Sequence, residues 1–335
     1  MGRKRLSGVT VRKESNSYID ALYAVLDRAA YFHGPKYRLN GMTGMAFKFI
    51  SHKRMLPAST YMYPLDADSW KAVDRLGIHN ELYCGIKSNP TFPLYQKKAI
   101  ERVKESIDCE RPALFWEPDA IGFAVVSGYD EEDGVFFYRD KFHRDEQILL
   151  FGNVGKVGAS FWMFQVIGDR VEKDIRDIYL DSMECCVDEW EINDNIAVLA
   201  KEEYGCGWKA YDYIISALEG DCFSDWGALG ILNNAVISKE HAYLYFREIA
   251  DEFEGMEEIV KRYGNVSLLF REMAQFFPHS FNRDTKIERG SIPILTGYLR
   301  KAREEEGQAV EALKLFLRET LYNRHIDYYD VKKFI

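Results

Sequence analysis

The sequence contains few of the features that mark disordered, disulfide-bonded or membrane-spanning chains. Only 9 of its 335 residues are proline and no low-complexity tract interrupts it, which excludes a largely disordered chain. Its 6 cysteines show no Cys-x-x-Cys spacing and are scattered, which excludes a disulfide framework. No hydrophobic run approaches the ~18–20 residues that a spanning helix needs. We therefore expect a soluble globular protein with no metal and no cofactor.

An excess of positive charge is also absent. The chain has 53 acidic residues against 44 Lys and Arg, and its formal net charge is −9. Nucleic acids and anionic membranes bind positive surfaces, so neither is expected as a partner. Arg3, Lys4 and Arg5 resemble the basic start of a signal peptide, but the apolar run of about 7 or more residues that should follow is missing. We therefore expect a cytoplasmic protein.

The chain is long and 47% hydrophobic, and its patterning changes once along its length. Its length favours two domains in close contact over a single core. Residues 1–170 mix helical patterns with short apolar runs typical of strands, whereas residues 171–335 show helical patterns alone. The sequence therefore predicts an α+β N-terminal domain followed by an all-α C-terminal domain.

Individual elements follow from apolar spacing and from glycine or proline breaks. The first helix is predicted to begin at Ser15 to Ser17 and to end near His33, Gly34 and Pro35. The strands predicted are 112–116, 122–126, 135–138, 148–151 and 160–167. The further helices predicted are 68–77, 93–108, 173–200, 208–219, 226–235, 239–253, 256–277, 291–305 and 307–322.

Five segments carry a resemblance to known enzymes. Residues 16–22 (NSYIDAL) have the spacing of the Cys-x-x-x-Ala-Leu nucleophile helix of papain-like enzymes, and residues 41–44 (GMTG) follow as a glycine-rich loop. Residues 122–130 (GFAVVSGYD) resemble the strand that carries the catalytic histidine. With residues 204–211 (YGCGWKAY) and 239–246 (KEHAYLYF), the order of segments resembles the butirosin biosynthesis protein H-like family, a papain-like N-terminal domain followed by a helical domain. The bacteriocin-processing cysteine peptidases are a more distant resemblance.

The resemblance implies acyl transfer, in which a thiolate attacks a carrier-bound thioester and an acceptor amine resolves the acyl-enzyme. By family position Ser17 is the nucleophile, Gly122 occupies the place of the base, and Asp140 orients that base. Only Asp140 keeps its chemistry, because a serine hydroxyl is far less ionised than a thiol and glycine has no side chain. No displaced His or Cys at a suitable position compensates for Gly122.

The resemblance also implies substrate-binding positions around this site. They are Asn16, Tyr18, Gly44, Trp116, Glu117, Gly122 and Tyr129. An aromatic cleft formed by Tyr18, Tyr23, Trp116, Phe123 and Tyr129 is the expected place for a small ligand. Most aromatic side chains of the chain are nevertheless expected in its core.

The first hypothesis for function is a noncatalytic relative of the papain-like acyltransferases that acts as a binding or accessory protein in a peptide or secondary-metabolite pathway. A second is an active acyltransferase or hydrolase that uses Ser17 with an unconventional base, such as Glu117 or Asp119. A third is a scaffold whose helical half binds a partner chain, either an acyl carrier protein or a second copy in a homodimer. Ser17 also suits a helix N-cap, so the residue alone does not decide among them.

Overall fold

A computed structural model describes residues 2–117, 122–156, 158, 160–192, 202–280 and 282–322. Within these ranges the protein is a mixed α+β protein with an antiparallel sheet in its N-terminal part and helices in its C-terminal part. We call residues 2–170 the sheet region and residues 171–322 the helical region. Among the described residues, no helix has both the length and the apolar character needed to cross a bilayer.

The described residues form nine strands, eight in the sheet region and one in the helical region. The strands are β1 (Arg3–Arg5), β2 (Ile50–His52), β3 (Ile78–Ile86), β4 (Ala113–Glu117), β5 (Gly122–Asp130), β6 (Val135–Arg139), β7 (Gln147–Leu150), β8 (Phe161–Arg170) and β9 (Tyr204–Cys206). The main sheet has the order β3-β8-β4-β5-β6-β7, and each neighbouring pair is antiparallel. β5 lies in its centre and is buried along its whole length, as its continuous apolar run predicts.

Four helices lie in the sheet region and five in the helical region, counted over the described residues. They are α1 (Ser17–Arg28), α2 (Lys36–Met42), α3 (Leu65–Asp74), α4 (Phe92–Asp108), α5 (Ile175–Glu191), α6 (Trp208–Glu219), α7 (Asp225–Ile249), α8 (Glu257–Met273) and α9 (Ile292–Tyr322). A 3-10 turn over Pro57–Tyr61 also matters for the site.

The predicted strands and the helices α3, α4 and α6 are confirmed within a few residues, but other expectations need correction. The 307–322 helix is not separate from 291–305, because Gly307 lies inside α9 and faces the ring of Trp190. Likewise α7 is one continuous helix where two helices, 226–235 and 239–253, were predicted. The helical region is not entirely helical, since β9 pairs with β2. The predicted helix 173–200 is described only as far as α5, and residues 193–200 lie outside the described residues.

The first helix is shorter than predicted. It ends at Arg28, because Ala30 adopts a left-handed φ of 57° and the amides of Tyr31 and Phe32 turn back to the carbonyl of Leu26. Left-handed backbone at a helix end is the usual stop signal, and here alanine adopts it in place of the glycine that the sequence offers at Gly34.

The two regions share their hydrophobic cores. Phe49 and Met55 belong to the sheet region by sequence but pack into the core of the helical region, where Phe49 lies edge-on to Tyr211 at 4.7 Å between ring centroids. Gly41 approaches the ring of Tyr245 so closely that a side chain would overlap it. This close approach joins α2 to α7.

A buried histidine at the same contact leads to a prediction about pH. Asn40 Nδ2 donates to His241 Nδ1 at 3.1 Å, and burial, with the Lys36 ammonium adding to it, lowers the pKa of His241 from 6.5 to about 4. The neutral ring is therefore favoured in the folded protein, while the unfolded chain takes up a proton below about pH 6.5. We expect this group to remove up to about 3 kcal/mol from the free energy of unfolding as the pH falls from 7 to 4.

The variant His241→Gln keeps an acceptor for Asn40 but does not titrate. Urea unfolding at pH 7 and pH 4.5 should show a smaller loss of stability in the variant than in the parent protein. Equal losses in both proteins would contradict the assignment.

Candidate functional site between the sheet and helical regions

Ser17 is the first residue of α1 and is sealed from solvent. Asn16 caps the helix, its Oδ1 accepting from the amide of Ile19 at 2.9 Å, so Ser17 is not the N-cap. The Ser17 side chain is fully buried, and its Oγ lies 3.0 Å from the hydroxyl of Tyr61. Burial raises the pKa of Tyr61, so this hydroxyl stays protonated. The hydroxyl that Tyr61 presents to Ser17 is therefore neutral and cannot act as a charged base.

Gly122 begins β5 and lies directly against Ser17. A Cβ at this position would be 3.2 Å from Ser17 Cβ and 3.3 Å from a ring carbon of Phe142. The structure thus brings the residues at the two family positions together, as the alignment of the segments suggested. A side chain at residue 122 would therefore press on the ring of Phe142, which would have to shift by a few tenths of an ångström.

Asp140 pairs with a histidine that the sequence interpretation did not consider. Its carboxylate is buried; Oδ1 accepts from the amides of Phe142 and His143 at 2.7 and 2.8 Å, and Oδ2 lies 2.8 Å from His143 Nδ1. The expectation that no displaced His or Cys compensates for Gly122 did not take His143 into account, and it stays a prediction. The spacing Asp140-x-x-His143 in a loop was the available signal. Asp140 shapes the turn that directs Phe142 toward Gly122.

The remaining predicted ligand residues do not form one cleft. The Tyr18 hydroxyl is in the core, 3.0 Å from the carbonyl of Ser69, and burial raises its pKa. Tyr129 lies at the far end of β5, where its hydroxyl donates to Asp108 at 2.8 Å. Gly44 faces Cys185. The aromatic cleft expected from the sequence is thus mostly core packing.

Trp116 and the acidic turn after it were also predicted to take part. Trp116 is nearly buried and packs edge-on against Tyr61 and Phe123, with 4.9 Å and 5.1 Å between ring centroids. The side chain of Glu117 and all of Asp119 lie outside the described part of the protein. Their proposed role as an unconventional base stays a prediction.

A cavity of about 520 Å³ opens on the other side of Tyr61. This volume is within the range of small-molecule sites. Both regions contribute walls. The lining residues are Lys13, Ser15, Asn16, Pro57, Thr60, Tyr61, Lys141, Phe142, Trp226, Gly230, Asn233, Asn234, Val236, Ile237, His279 and Arg283. Among the sequence-predicted site residues, Asn16 lines the cavity, whereas Ser17 is separated from it by Tyr61.

A buried charge cluster lies beneath one wall of the cavity. Asp20 Oδ1 is 2.9 Å from Lys36 Nζ, and its Oδ2 is 3.7 Å from Lys141 Nζ. Burial raises the pKa of Asp20 against the effect of these two ammonium groups. Burial also lowers the pKa of Lys141, opposed by Asp20 and reinforced by Lys13 and Lys36. One buried carboxylate is therefore shared between two ammonium groups.

The opposite wall presents polar groups with fixed orientations. Asn233 Nδ2 donates to the carbonyls of Leu229 and Pro278, so its Oδ1 is the acceptor for His279 Nδ1 at 2.9 Å. This arrangement places the proton of a neutral His279 ring on Nδ1 and leaves Nε2 as the acceptor nitrogen. The asparagine thus selects the tautomer of a residue that lines the cavity.

The sequence interpretation missed this wall entirely. Two signals were present: the polar pair Asn233 and Asn234 within an apolar helix, and a histidine in the connection between α8 and α9. Neither signal indicates by itself which part of the sheet region it faces.

A larger and more open groove of about 1010 Å³ lies on the helical region, but most of its charged residues form ion pairs. Arg262 contacts Glu305 at 3.1 Å, and Arg300 contacts Glu219 at 2.7 Å. Solvated ion pairs of this kind cover the surfaces of many helices. The cavity beside Tyr61 is the better candidate for a ligand site because most of its wall surface is apolar, while polar and charged groups also reach it.

No protein-family model matches this sequence, and no curated protein matches it. The fold and the site therefore define the class of protein in structural terms alone. It is a mixed α+β protein with a ligand-sized cavity between its sheet and helical regions.

Proposed function

We propose that this protein is a noncatalytic small-molecule-binding protein whose ligand occupies the cavity beside Tyr61. The observation that carries the proposal is the position of Tyr61, which bonds the buried Ser17 hydroxyl on one side and lines the 520 Å³ cavity on the other. Ser17 is fully buried and does not line the cavity. Gly122 has no side chain that could act as a base, and the ring of Phe142 lies close to it.

We further propose that the sheet region descends from the papain-like fold, in the lineage of the butirosin biosynthesis protein H-like family. The contact between Ser17 and Gly122 supports this descent, because the family's nucleophile and base positions would lie side by side in the same way. An accessory role in a peptide or secondary-metabolite pathway follows from that lineage. The burial of Ser17 weighs against the alternative of an active acyltransferase.

Filling the cavity should abolish binding without unfolding the protein. Gly230 lines the cavity from α7, and a Cβ there meets no atom within 4 Å, so leucine fits and also favours the helix. The neutral dye N-phenyl-1-naphthylamine, followed by its fluorescence, should bind the parent protein saturably. We expect Gly230→Leu to raise the dissociation constant at least about tenfold, since a methylene-rich side chain would occupy the apolar site.

Gly297→Leu is the matched control, because Gly297 also has open space around it, lies in α9 and is not part of the cavity wall. It should bind the dye like the parent protein, and so should Ser17→Ala. Equal dye affinity in Gly230→Leu and Gly297→Leu would place binding outside the cavity. Labelling of Ser17 by a fluorophosphonate, or amine acylation from a carrier thioester that Ser17→Ala abolishes, would replace this proposal with the enzymatic one.

A further inference from the structure

The charges that line the cavity have one sign. Lys13, Lys141 and Arg283 contribute to its walls, and among the described lining residues there is no Asp or Glu. This contrasts with a chain whose formal net charge is −9. Charge of one sign in a concave site with apolar walls attracts a ligand of the opposite sign.

Carboxylates lie close to the ammonium groups of Lys36 and Lys141. Asp20 is shared by Lys36 and Lys141, and Glu14 contacts Lys36 at 3.0 Å. Lys13 lies on the same side of the cavity and reinforces the lowering of the pKa of Lys141 that burial causes. The cavity also begins at the N-terminal end of α1, where the unpaired amides of a helix add a partial positive charge. The charged side chains that line the first wall are thus lysines, and the carboxylate of Asp20 lies beneath that wall.

Arg283 supplies a donor from the second wall. Its guanidinium lies over the indole ring of Trp226 with 4.6 Å between the guanidinium carbon and the ring centroid. No carboxylate among the described residues forms a salt bridge with it. Stacking covers one face of the guanidinium group. Its N–H groups lie in the plane of the guanidinium and point outward from its edges. This geometry suits an acidic headgroup beside an apolar body packed on the walls.

We propose that the ligand is a small amphipathic anion, with an apolar body against Trp226, Phe142 and Ile237 and an acidic headgroup bound by Arg283. The proposal rests on the proposed function, since it names the chemistry of the ligand in the same cavity. Carboxylate and phosphate headgroups share this chemistry.

A matched pair of probes tests the charge. N-Phenyl-1-naphthylamine is neutral, and 8-anilinonaphthalene-1-sulfonate has the same apolar body with one added sulfonate. We expect the full-length protein to bind the sulfonate at least about tenfold more tightly than the neutral probe, as a charge-assisted hydrogen bond implies. Arg283→Gln should weaken the sulfonate about tenfold and change the neutral probe less than about twofold.

Arg247→Gln is the control, because Arg247 also stacks on an aromatic ring, that of Tyr243 at 5.4 Å, but does not line the cavity. It should change neither dissociation constant. Decanoate and decyl phosphate should each displace the sulfonate, and the stronger competitor identifies the headgroup. 1-Decanol, with a similar apolar chain and no charge, should displace it at least about tenfold less well.

The outcomes separate this inference from the proposed function. If both probes bind equally and Gly230→Leu abolishes both, the anion inference is overturned while ligand binding in the cavity stands. If the sulfonate binds more tightly but Gly230→Leu leaves its affinity unchanged, the anion site is elsewhere and the inference is overturned. If neither probe binds, both proposals are overturned.

Discussion

Gly227→Ala should lower the free energy of unfolding by about 3 kcal/mol or more. Gly227 lies in the first turn of α7, where the helix crosses the chain just before the turn over Pro57–Tyr61. A Cβ at this position would overlap the carbonyl oxygen of Met55 and lie 2.6 Å from the carbonyl carbon of Leu56. These are backbone atoms, so no rotation of a side chain relieves the clash. The helix or the turn has to move.

The same substitution should weaken binding of the neutral dye, because Trp226 and Pro57 beside the clash both line the cavity. Gly230→Ala, one turn later in the same helix, is the control. Open space surrounds that position, and alanine should raise the free energy of unfolding by up to about 1 kcal/mol. Urea unfolding measures both changes. A Gly227→Ala protein as stable as its parent would refute the packing described for α7.

Lys239→Met should lower the free energy of unfolding by about 3–5 kcal/mol. Lys239 in α7 is 2% exposed, and its Nζ lies 2.6 Å from Glu306 Oε1 in α9. Tyr211 in α6 donates to the other carboxylate oxygen at 2.6 Å, and the ring of Phe49 lies beneath the ammonium group at 4.7 Å. Removal of the lysine leaves a buried carboxylate without its counter-charge. The loss in the free energy of unfolding exceeds the stabilisation by the ion pair itself, because water does not reach the carboxylate of Glu306 once the lysine is removed.

Two further variants isolate that cause. The double variant Lys239→Met with Glu306→Gln removes both charges and keeps an acceptor for Tyr211, so it should recover most of the stability. Lys261→Met breaks an exposed pair with Glu258 at 3.5 Å and should cost less than about 1 kcal/mol. Thermal and urea unfolding of the three variants give the comparison. A double variant as unstable as Lys239→Met would show that packing, and not the unpaired charge, governs the effect.

Elements defined by local patterns were predictable from the sequence. The helices α4 and α6 have apolar stripes and clear boundaries, and β5 is a continuous apolar run. β3 was not predicted, because polar residues such as Asn80 and Glu81 interrupt its apolar pattern. Its conformation depends on pairing with β8, where the buried Asn80 side chain accepts from Gln165. A distant strand therefore decides its structure.

The site was only half predictable for the same reason. Ser17 and Gly122 followed from the resemblance, and the structure brings them into contact. The cavity wall with Asn233 and His279 lies more than 200 positions beyond Asn16 in the sequence. No local sequence pattern indicates that this wall faces Asn16. Tyr61, which separates Ser17 from the cavity, lies in a turn without a periodic pattern. Contacts of this kind depend on how α7 packs on the sheet region.

The segment from Phe49 to Pro57 would restrict how the proposed ligand enters and leaves the cavity. Phe49 and Met55 are anchored in the core of the helical region, while β2 pairs with β9 across the boundary. Two regions joined in this way cannot swing apart as hinged domains do without breaking a hydrophobic core. Exchange of the proposed ligand would therefore depend on rotation of exposed lining side chains, such as Phe142 and Arg283, and its rate should reflect these small motions.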